Sequence, residues 1–292
     1  MEGVSQTCPL CGATGQKKVV ERFDSGRFLA CGTCGIHYAD APGRDLEEYY
    51  EQIWSRQGRD SDPYEQKRRA ARNPRALRRL LREMPRFRWA VSRLAKLPPG
   101  RVLDIGCGEG TVLWGAQSLG HDVHGLDLSP SAVAIARTLL GTDSVRVGTL
   151  ENAHFDPATF DCVVALEVIE HLPNGRAFLR DVVSLLKPTG VLLLTTPNRR
   201  RLFAAGKRLL GLRQTPTDYP PHHLTRWSCP TLRRLLGEFF AEVKVGTLPY
   251  YFSSGLGRRT AYLLHILLAG KTGQCLRGVG SFPNSSEVAS RV

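Results

Sequence analysis

The chain has 292 residues, 42% of them apolar, with eight cysteines and a formal charge of +13. That length allows one substantial core with small appendages, and no stretch reaches the about 18 uninterrupted apolar residues that a membrane span requires. The N-terminal MEGVSQTCPLCG has no basic start followed by an apolar run, so it does not read as a secretion signal and the expected location is cytoplasmic.

Cys8, Cys11, Cys31 and Cys34 follow the pattern C-x2-C-x19-C-x2-C, and each pair lies in a C-x-x-C-G knuckle, CPLCG and CGTCG. Thiolates two residues apart on a tight turn can approach one cation, and two such knuckles complete a tetrahedral sulfur shell. The spacing predicts a zinc ribbon over 1–45 whose Zn2+ is structural, because four protein ligands leave no open position. His37 reads as a bystander to that shell. Cys107 and Cys162 read as packing residues, and no role is assigned to Cys229 or Cys275.

From Leu46 to Leu97 the text is helical and basic, broken at Pro74 and Pro85. Leu77, Leu80, Leu81 and Met84 recur at helical spacing with arginines between them, which predicts one packed face and one charged face. After PPG at 98–100 the period changes. Short apolar runs in RVLDIGCG, HDVHGLDLS, SVRVGTL, FDCVVALEVIEHL and VLLLTTPN alternate with helical text to Ser118, from about Ser131 to Leu140 and near Arg176 to Leu186. KPTG reads as the turn before the last run. The alternation predicts an α/β fold, a doubly wound and mostly parallel sheet over 98–250. An insertion at 199–230 and a partly flexible C-terminal extension over 251–292 complete the expected organisation.

In VLDIGCGEG a strand reaches Asp104 and passes into a loop with Gly106, Gly108 and Gly110 before a helix near Thr111. A dinucleotide loop has the form G-x-G-x-x-G, whereas here the third glycine comes one residue early and position 111 is Thr. The loop therefore suits a ligand other than a pyrophosphate. S-adenosylmethionine (SAM) carries a sulfonium, an ammonium and a single carboxylate, and Asp104 supplies a negative charge for its ammonium end. Asp127 in GLDLS ends the next strand, where one carboxylate can accept from both ribose hydroxyls.

Through VLDIGCGEG, GLDLS, FDCVVALEVIEHL and LKPTGVLLLTTPN, in that order, residues 101–198 resemble the class I SAM-dependent methyltransferases of the type 11/23 kind. The resemblance implies a Rossmann-like seven-stranded sheet. The methionine part of SAM would lie near Asp104, Gly106, Cys107, Gly108 and Gly110, the ribose on Asp127, and the adenine beside Leu128 and the Thr149-Leu150-Glu151 turn. The family often has Asp in the position of Thr149, and Glu151 is the alternative acceptor for the adenine amino group. The ribbon, the Tyr-rich EEYYEQIW and the later HHLTRW are similar to bacterial methyltransferases of surface-glycan and natural-product pathways.

Glu167, Glu170 and His171 follow the fourth strand of the domain at spacing i, i+3, i+4, which predicts one face of a helical turn. His222 and His223 arrive in YPPHHLTRWS. Two readings stay open. In one, Glu167 contacts SAM, His171 shapes the pocket and His222 or His223 is a general base. In the other, Glu170 and His171, with Glu167 and one later histidine, bind Mg2+ or another divalent cation; the E-x-x-E-H spacing resembles the metal-assisted O-methyltransferases of ubiquinone synthesis and small-RNA end modification.

Arginine and lysine concentrate between Arg56 and Arg101 and again between Arg199 and Arg213, so anionic partners are expected. The later cluster alternates with Phe203, Leu209, Leu210 and Leu212, and with the apolar AYLLHILLAG at 261–270 it could lie peripherally on an anionic membrane or grip a phosphorylated substrate. The first reading of function is methyl transfer from SAM to an oxygen of a small-molecule or glycan- or lipid-linked acceptor. The alternatives are an RNA methyltransferase, in which the ribbon and the basic segment contact phosphates, and a non-catalytic SAM-binding ribbon protein.

Overall fold

The structure is a computed structural model that describes residues 7–15, 17–40, 48, 51, 73–199, 222–248 and 275–283. The basic segment expected at 199–213 lies outside the described residues except for Arg199, as do the apolar run at 261–270 and most of 46–72. Among the described residues no helix is long and apolar enough to cross a membrane.

The chain divides into two compact units. One comprises Met1–Arg44, Glu167–Arg180 and Thr195–Gly280, and the other Asp45–Leu166, Asp181–Leu194 and Ser281–Val292. The first unit opens with β1 (Lys17–Phe23), β2 (Gly26–Cys31) and β3 (His37–Asp40), joined by antiparallel pairing. A short strand from much later in the chain, β9 (Thr225–Arg226), pairs antiparallel with β3 and completes a four-stranded sheet in the order β1-β2-β3-β9. The unit also holds α6 (Cys229–Phe239), which starts at a capping box between Ser228 and Thr231, and β10 (Phe240–Leu248).

In the second unit, α1 (Pro74–Glu83) and α2 (Pro85–Leu94) each begin at a proline, whose missing N–H has no helical partner to lose at that position. Asn73 caps α1 by accepting from the amides of Arg75 and Ala76. Met84 is extended between the two helices, because the residue before a proline is sterically excluded from the helical region. Leu77 is fully buried, while Arg75, Arg78, Arg79 and Arg82 of the same helix are exposed.

The sheet and its helices are built from β4 (Arg101–Ile105), α3 (Thr111–Gln117), β5 (Asp122–Asp127), α4 (Pro130–Leu140), β6 (Val145–Val147), β7 (Phe160–Leu166), α5 (Gly175–Leu185) and β8 (Leu186–Pro197). β4 pairs in parallel with both β5 and β7, and β5 with β6. With β11 (Cys275–Pro283) the seven-stranded sheet has the order β10-β11-β8-β7-β4-β5-β6. The order reverses at β4, whose neighbours are β5 on one side and β7 on the other, so the crevice beyond the carboxyl ends of β4 and β7 is where such a sheet admits a ligand. Val102, Leu103, Val163, Val164, Leu192 and Leu193 are buried, the continuous apolar run expected of strands covered on both faces.

One boundary differs from the reading of the sequence. The KPTG expected as a turn belongs to the assigned span of β8. The backbone folds tightly there, since a Cβ on Gly190 would lie 2.9 Å from the Lys187 carbonyl oxygen, so turn and strand run together without a separate loop.

Gly125 of β5 has no room for a side chain: a Cβ there would lie 2.8 Å from Leu113 Cδ1 on α3 and 2.9 Å from Cys107 Sγ. Gly125→Ala is expected to destabilise the protein by about 1–3 kcal/mol, the cost of overpacking a dense core. Urea unfolding monitored by fluorescence checks this, and an unchanged midpoint would show that α3 does not sit tightly on β5.

Candidate active site

The loop after β4 reverses direction through three left-handed glycines, with φ of 71° at Gly106, 53° at Gly108 and 81° at Gly110. Residues with a Cβ rarely adopt this conformation. Gly110 also sits where a Cβ would come within 3.1 Å of Ala136 Cβ on α4. The loop is tied down from the neighbouring strand: the amides of Gly106 and Cys107 both donate to the Leu126 carbonyl, at 2.8 and 3.0 Å. The Gly108 N–H donates to Asp127 Oδ2 at 2.8 Å, and the Ser129 N–H donates to Asp127 Oδ1 at 3.0 Å. Asp127 thus stands at the end of β5 with one backbone donor on each oxygen.

Three carboxylates gather here. Asp104 is 3% exposed and Glu109 2% exposed, and the Thr111 hydroxyl donates to Glu109. Burial raises the Asp104 pKa well above the ordinary aspartate value, and the negative charges of Asp127 and Glu109 raise it further. An anionic ligand would aggravate this repulsion and a cationic one would relieve it. Leu128 and Leu150 are half-buried and Glu151 is exposed. The Thr149 hydroxyl is buried with no hydrogen-bond partner among the described residues, while the next residue upstream, Gly148, donates its N–H to the Asp127 carbonyl at 2.9 Å. The expected binding residues therefore stand on the ends of β4, β5 and β6, with a buried hydroxyl free to accept or donate. Cys107 is buried and burial pushes its thiol pKa up, in keeping with a packing residue.

Sequence reading did not find Glu51. Its carboxylate accepts from the hydroxyls of Ser129, at 2.6 Å, and Ser131, at 2.5 Å, and from the Ser131 N–H at 3.2 Å. Against the upward push of burial, these hydrogen bonds hold the Glu51 pKa below its ordinary value. A negative charge at the start of α4 also suits the helix dipole. Only the L-S-P-S text after Asp127 hinted at a helix start that needs an acceptor.

A second constellation lies in the other unit, where β7 gives way to a three-residue 3-10 turn at Ile169–His171. Glu167, Glu170 and His171 do not share one face of a helix, contrary to expectation. The Glu167 N–H still donates to the Thr195 carbonyl at 2.9 Å, so strand pairing continues to that residue, and the chain then reverses with φ of 60° at Glu167. A left-handed glutamate is a costly conformation of the kind found at functional sites. Its carboxylate accepts from the Thr195 hydroxyl and from the Cys275 thiol, both at 2.9 Å. The buried Glu170 accepts from the Thr196 hydroxyl at 2.9 Å. Thr195, Thr196 and Cys275 were not singled out from the sequence; two hydroxyls closing an apolar strand, in TTPN, were the only signal.

His171, His222 and His223 come together. Their ring centroids lie 4.7–4.9 Å apart, with His222 and His223 stacked at 20°. His171 Nδ1–H donates to the His222 carbonyl at 2.7 Å, which places the lone pair on Nε2, 4.0 Å from Glu170 Oε1. Burial, followed by the neighbouring His223 and His222, pushes the His171 pKa down to about 3. One potential ligand atom from each of the three histidines falls within 4.8 Å of the others.

The four knuckle cysteines also converge. Cys8 and Cys34 are 3.6 Å apart at sulfur, as are Cys11 and Cys31, against an edge of about 3.8 Å for a sulfur tetrahedron with Zn–S bonds of about 2.3 Å. Both knuckles have the same backbone: Gly12 and Gly35, with φ of 69° and 74°, donate to the Cys8 and Cys31 carbonyls at 2.9 Å. Burial raises the Cys8 and Cys34 thiol pKa values, whereas Cys31, despite burial, is held at about 6 by backbone N–H groups of Cys34 and Thr33. Four packed thiols of this kind fit a shared divalent cation.

Comparison with known proteins places these features. The methyltransferase-domain family matches residues 48–241. The ubiquinone biosynthesis O-methyltransferase of Xanthomonas campestris is 41% identical over 119 residues, covering 39% of this chain and 49% of that protein. The chain thus spans about half the length of the Xanthomonas relatives it matches. The protein of the same name from Dechloromonas aromatica is 31% identical over 197 residues, covering 62% of this chain and 84% of that one. In fold, the chain is similar to one in the complex between the Haloferax volcanii Trm112 methyltransferase activator and a methyltransferase, with a TM-score of 0.51 at 20% identity over 74% of this chain and 97% of that one. With a glycine loop, an acid at the end of β5, the seven-stranded sheet and a match over residues 48–241, the chain belongs to the class I SAM-dependent methyltransferases and carries a ribbon-like cluster of four cysteines at its N-terminal end.

Proposed function

We propose that the enzyme methylates an oxygen of a small-molecule or glycan- or lipid-linked acceptor, and that the knuckle cysteines hold a structural Zn2+. The observation that carries the reading is the convergence of His171, His222 and His223 beside the buried Glu170, a concentration of proton acceptors that hydroxyl methylation uses. Relatives named ubiquinone biosynthesis O-methyltransferase support oxygen as the acceptor atom.

Bound SAM would supply an electrophilic methyl carbon on its sulfonium. Asp104 and the loop through Gly106, Cys107, Gly108 and Gly110 would hold the amino-acid end, Asp127 the ribose hydroxyls, and Leu128, Thr149, Leu150 and Glu151 the adenine edge. In the transfer an acceptor oxygen forms a bond to the methyl carbon as the carbon–sulfur bond breaks, so the protein's task is alignment and removal of the hydroxyl proton. His171, with its pKa near 3, stays neutral and takes no proton at physiological pH. Its hydrogen bond to the His222 carbonyl makes it a positioning residue, and the proton passes to His222 or His223. Replacing each of these two by Ala should lower kcat about 10²–10⁴-fold for the one that acts as base while leaving SAM affinity unchanged. If both variants keep full turnover, base catalysis by this pair is wrong.

A divalent cation is the second reading, favoured by the three imidazoles whose ligand atoms lie within 4.8 Å. Glu167, occupied by Thr195 and Cys275, is not among them. Three imidazoles suit borderline cations better than Mg2+, which prefers oxygen ligands. Metal-free enzyme that retains full activity, with no gain on adding magnesium or manganese, rules the cation out.

The raised Asp104 pKa makes a signed prediction. A cationic ligand stabilises the ionised carboxylate, so binding pulls that pKa down and releases a proton. SAM affinity should therefore rise with pH through the raised pKa, level off above it, and weaken as pH falls. Asp104→Asn should bind at least about tenfold more weakly, the equivalent of about 1.4 kcal/mol, and lose the pH dependence. Calorimetry in buffers of different ionisation enthalpy measures both effects, and binding without proton release would refute the role of Asp104. The acceptor class is tested by incubation with labelled SAM and fractionated extract: label in small-molecule or glycolipid fractions supports the proposal, and label in RNA overturns it.

A further inference from the structure

We propose that the ribbon positions the histidine pair, so that zinc at Cys8, Cys11, Cys31 and Cys34 governs the acceptor-side imidazoles as well as the ribbon's own stability. The inference rests on the zinc reading above. Its evidence lies within the single unit that contains the ribbon, the 3-10 turn and the His222–Trp227 segment.

β9 is only two residues long and cannot hold itself in place; a strand that short depends on its partners. It is gripped from two sides at Leu224. The Leu224 carbonyl accepts from the N–H of Ala39 on β3 at 2.7 Å, and the Leu224 N–H donates to the Glu170 carbonyl, also at 2.7 Å. Register pairs Tyr38 with Thr225 and His37 with Arg226, and the Thr225 hydroxyl donates to the Ile169 carbonyl at 3.2 Å. One residue therefore joins the ribbon to the turn that bears Glu170 and His171, immediately after His222 and His223.

Side chains reinforce the junction. Arg226 donates to Glu21 Oε2 on β1 at 2.6 Å and lays its guanidinium 3.8 Å from the ring centroid of the buried Phe28 on β2. Arg199 donates its backbone N–H to the Trp227 carbonyl at 2.8 Å and its Nη1 to the Gly35 carbonyl at 2.6 Å. Gly35 directly follows Cys34, and its own N–H closes the second knuckle on Cys31. The thiol cluster is thus linked through Arg199, by two hydrogen bonds, to the chain that carries His222 and His223. A ribbon of about 40 residues has too little core to fold unaided, and such modules depend on their metal. Zinc loss would loosen β3, free the Leu224 carbonyl and remove one wall of the segment that begins at His222.

The test uses the full-length protein with zinc bound and after chelation. Metal analysis gives the stoichiometry, hydrogen exchange reads the peptides covering 37–40 and 222–227, and the imidazole Cε1–H resonances of His222 and His223 are compared with those of His121 and His124. Zinc removal should speed exchange at 37–40 and 222–227 by on the order of tenfold or more and shift the His222 and His223 signals. Exchange at 101–127, the His121 and His124 signals and SAM affinity should stay within twofold. Ala39→Pro removes the donor to Leu224 without touching a cysteine or a histidine, and should reproduce the faster exchange at 222–227 with zinc retained. Should that variant lose zinc, Arg226→Met, which alters only a side chain, carries the same expectation. Unchanged exchange at 222–227 in the zinc-free protein, or equal loosening at 101–127, overturns the positioning role while leaving zinc binding intact; a protein that never binds zinc overturns the metal assignment itself.

Discussion

The hold of Asp127 on two backbone amides is the constraint on which the glycine loop depends. A carboxylate that accepts from Gly108 on one oxygen and Ser129 on the other locks the loop after β4 to the turn after β5, and each hydrogen bond to a charged acceptor is worth about 1.5–3 kcal/mol. Left-handed glycines at 106, 108 and 110 make that approach possible, and Gly125 lets α3 settle close enough to β5 to support it. The Glu51 carboxylate extends the same logic by fixing Ser129 and Ser131 at the start of α4. The outcome is a rigid rim with an excess of negative charge, because Asp104 and Glu109 are buried close to Asp127. That arrangement is electrostatically costly, and a cationic ligand would relieve it.

The other unit solves a different problem, the placement of three close-packed imidazoles. His171 is kept neutral by burial and oriented by the His222 carbonyl, and the left-handed Glu167 turns the chain so that Glu170 and His171 can point away from the strand register. The Thr195 and Thr196 hydroxyls then donate to Glu167 and Glu170, so that each carboxylate has a hydroxyl partner. The ribbon strand β3 pairs with β9, which follows His222 and His223 in the chain, so a module that reads in the sequence as a separate appendage adjoins the histidine segment.

Much of this is legible in the sequence. The knuckle spacing called for four sulfurs around one ion, and they lie within tetrahedral reach. Alternation of apolar runs with helical text called for a parallel sheet, and β4 to β6 pair that way. Prolines 74 and 85 mark the starts of α1 and α2. Local rules sufficed for these because each depends on neighbours a few residues apart: a proline's effect on its predecessor, a glycine's tolerance of positive φ, a run of β-branched residues. The helical face expected for Glu167, Glu170 and His171 failed for the complementary reason. Spacing i, i+3, i+4 implies one face only if the backbone is helical, and here Glu167, tied to Thr195 28 residues away, is left-handed and the turn covers only Ile169–His171.

Local sequence suffices for the left-handed glycine loop with an acid at the end of the next strand, for the convergence of four sulfurs and for the alternation that makes the sheet, since backbone sterics and close spacing encode all three. Only the tertiary structure decided that Cys275 and Thr195 would occupy Glu167, that Glu51 would cap the start of α4 from 78 residues upstream of Ser129, and that Arg226 would anchor the histidine segment in the ribbon. Those contacts join residues far apart in the chain through side chains of ordinary composition. Nothing in local sequence marks a threonine, a cysteine or an arginine as a partner until folding brings its counterpart within hydrogen-bonding distance.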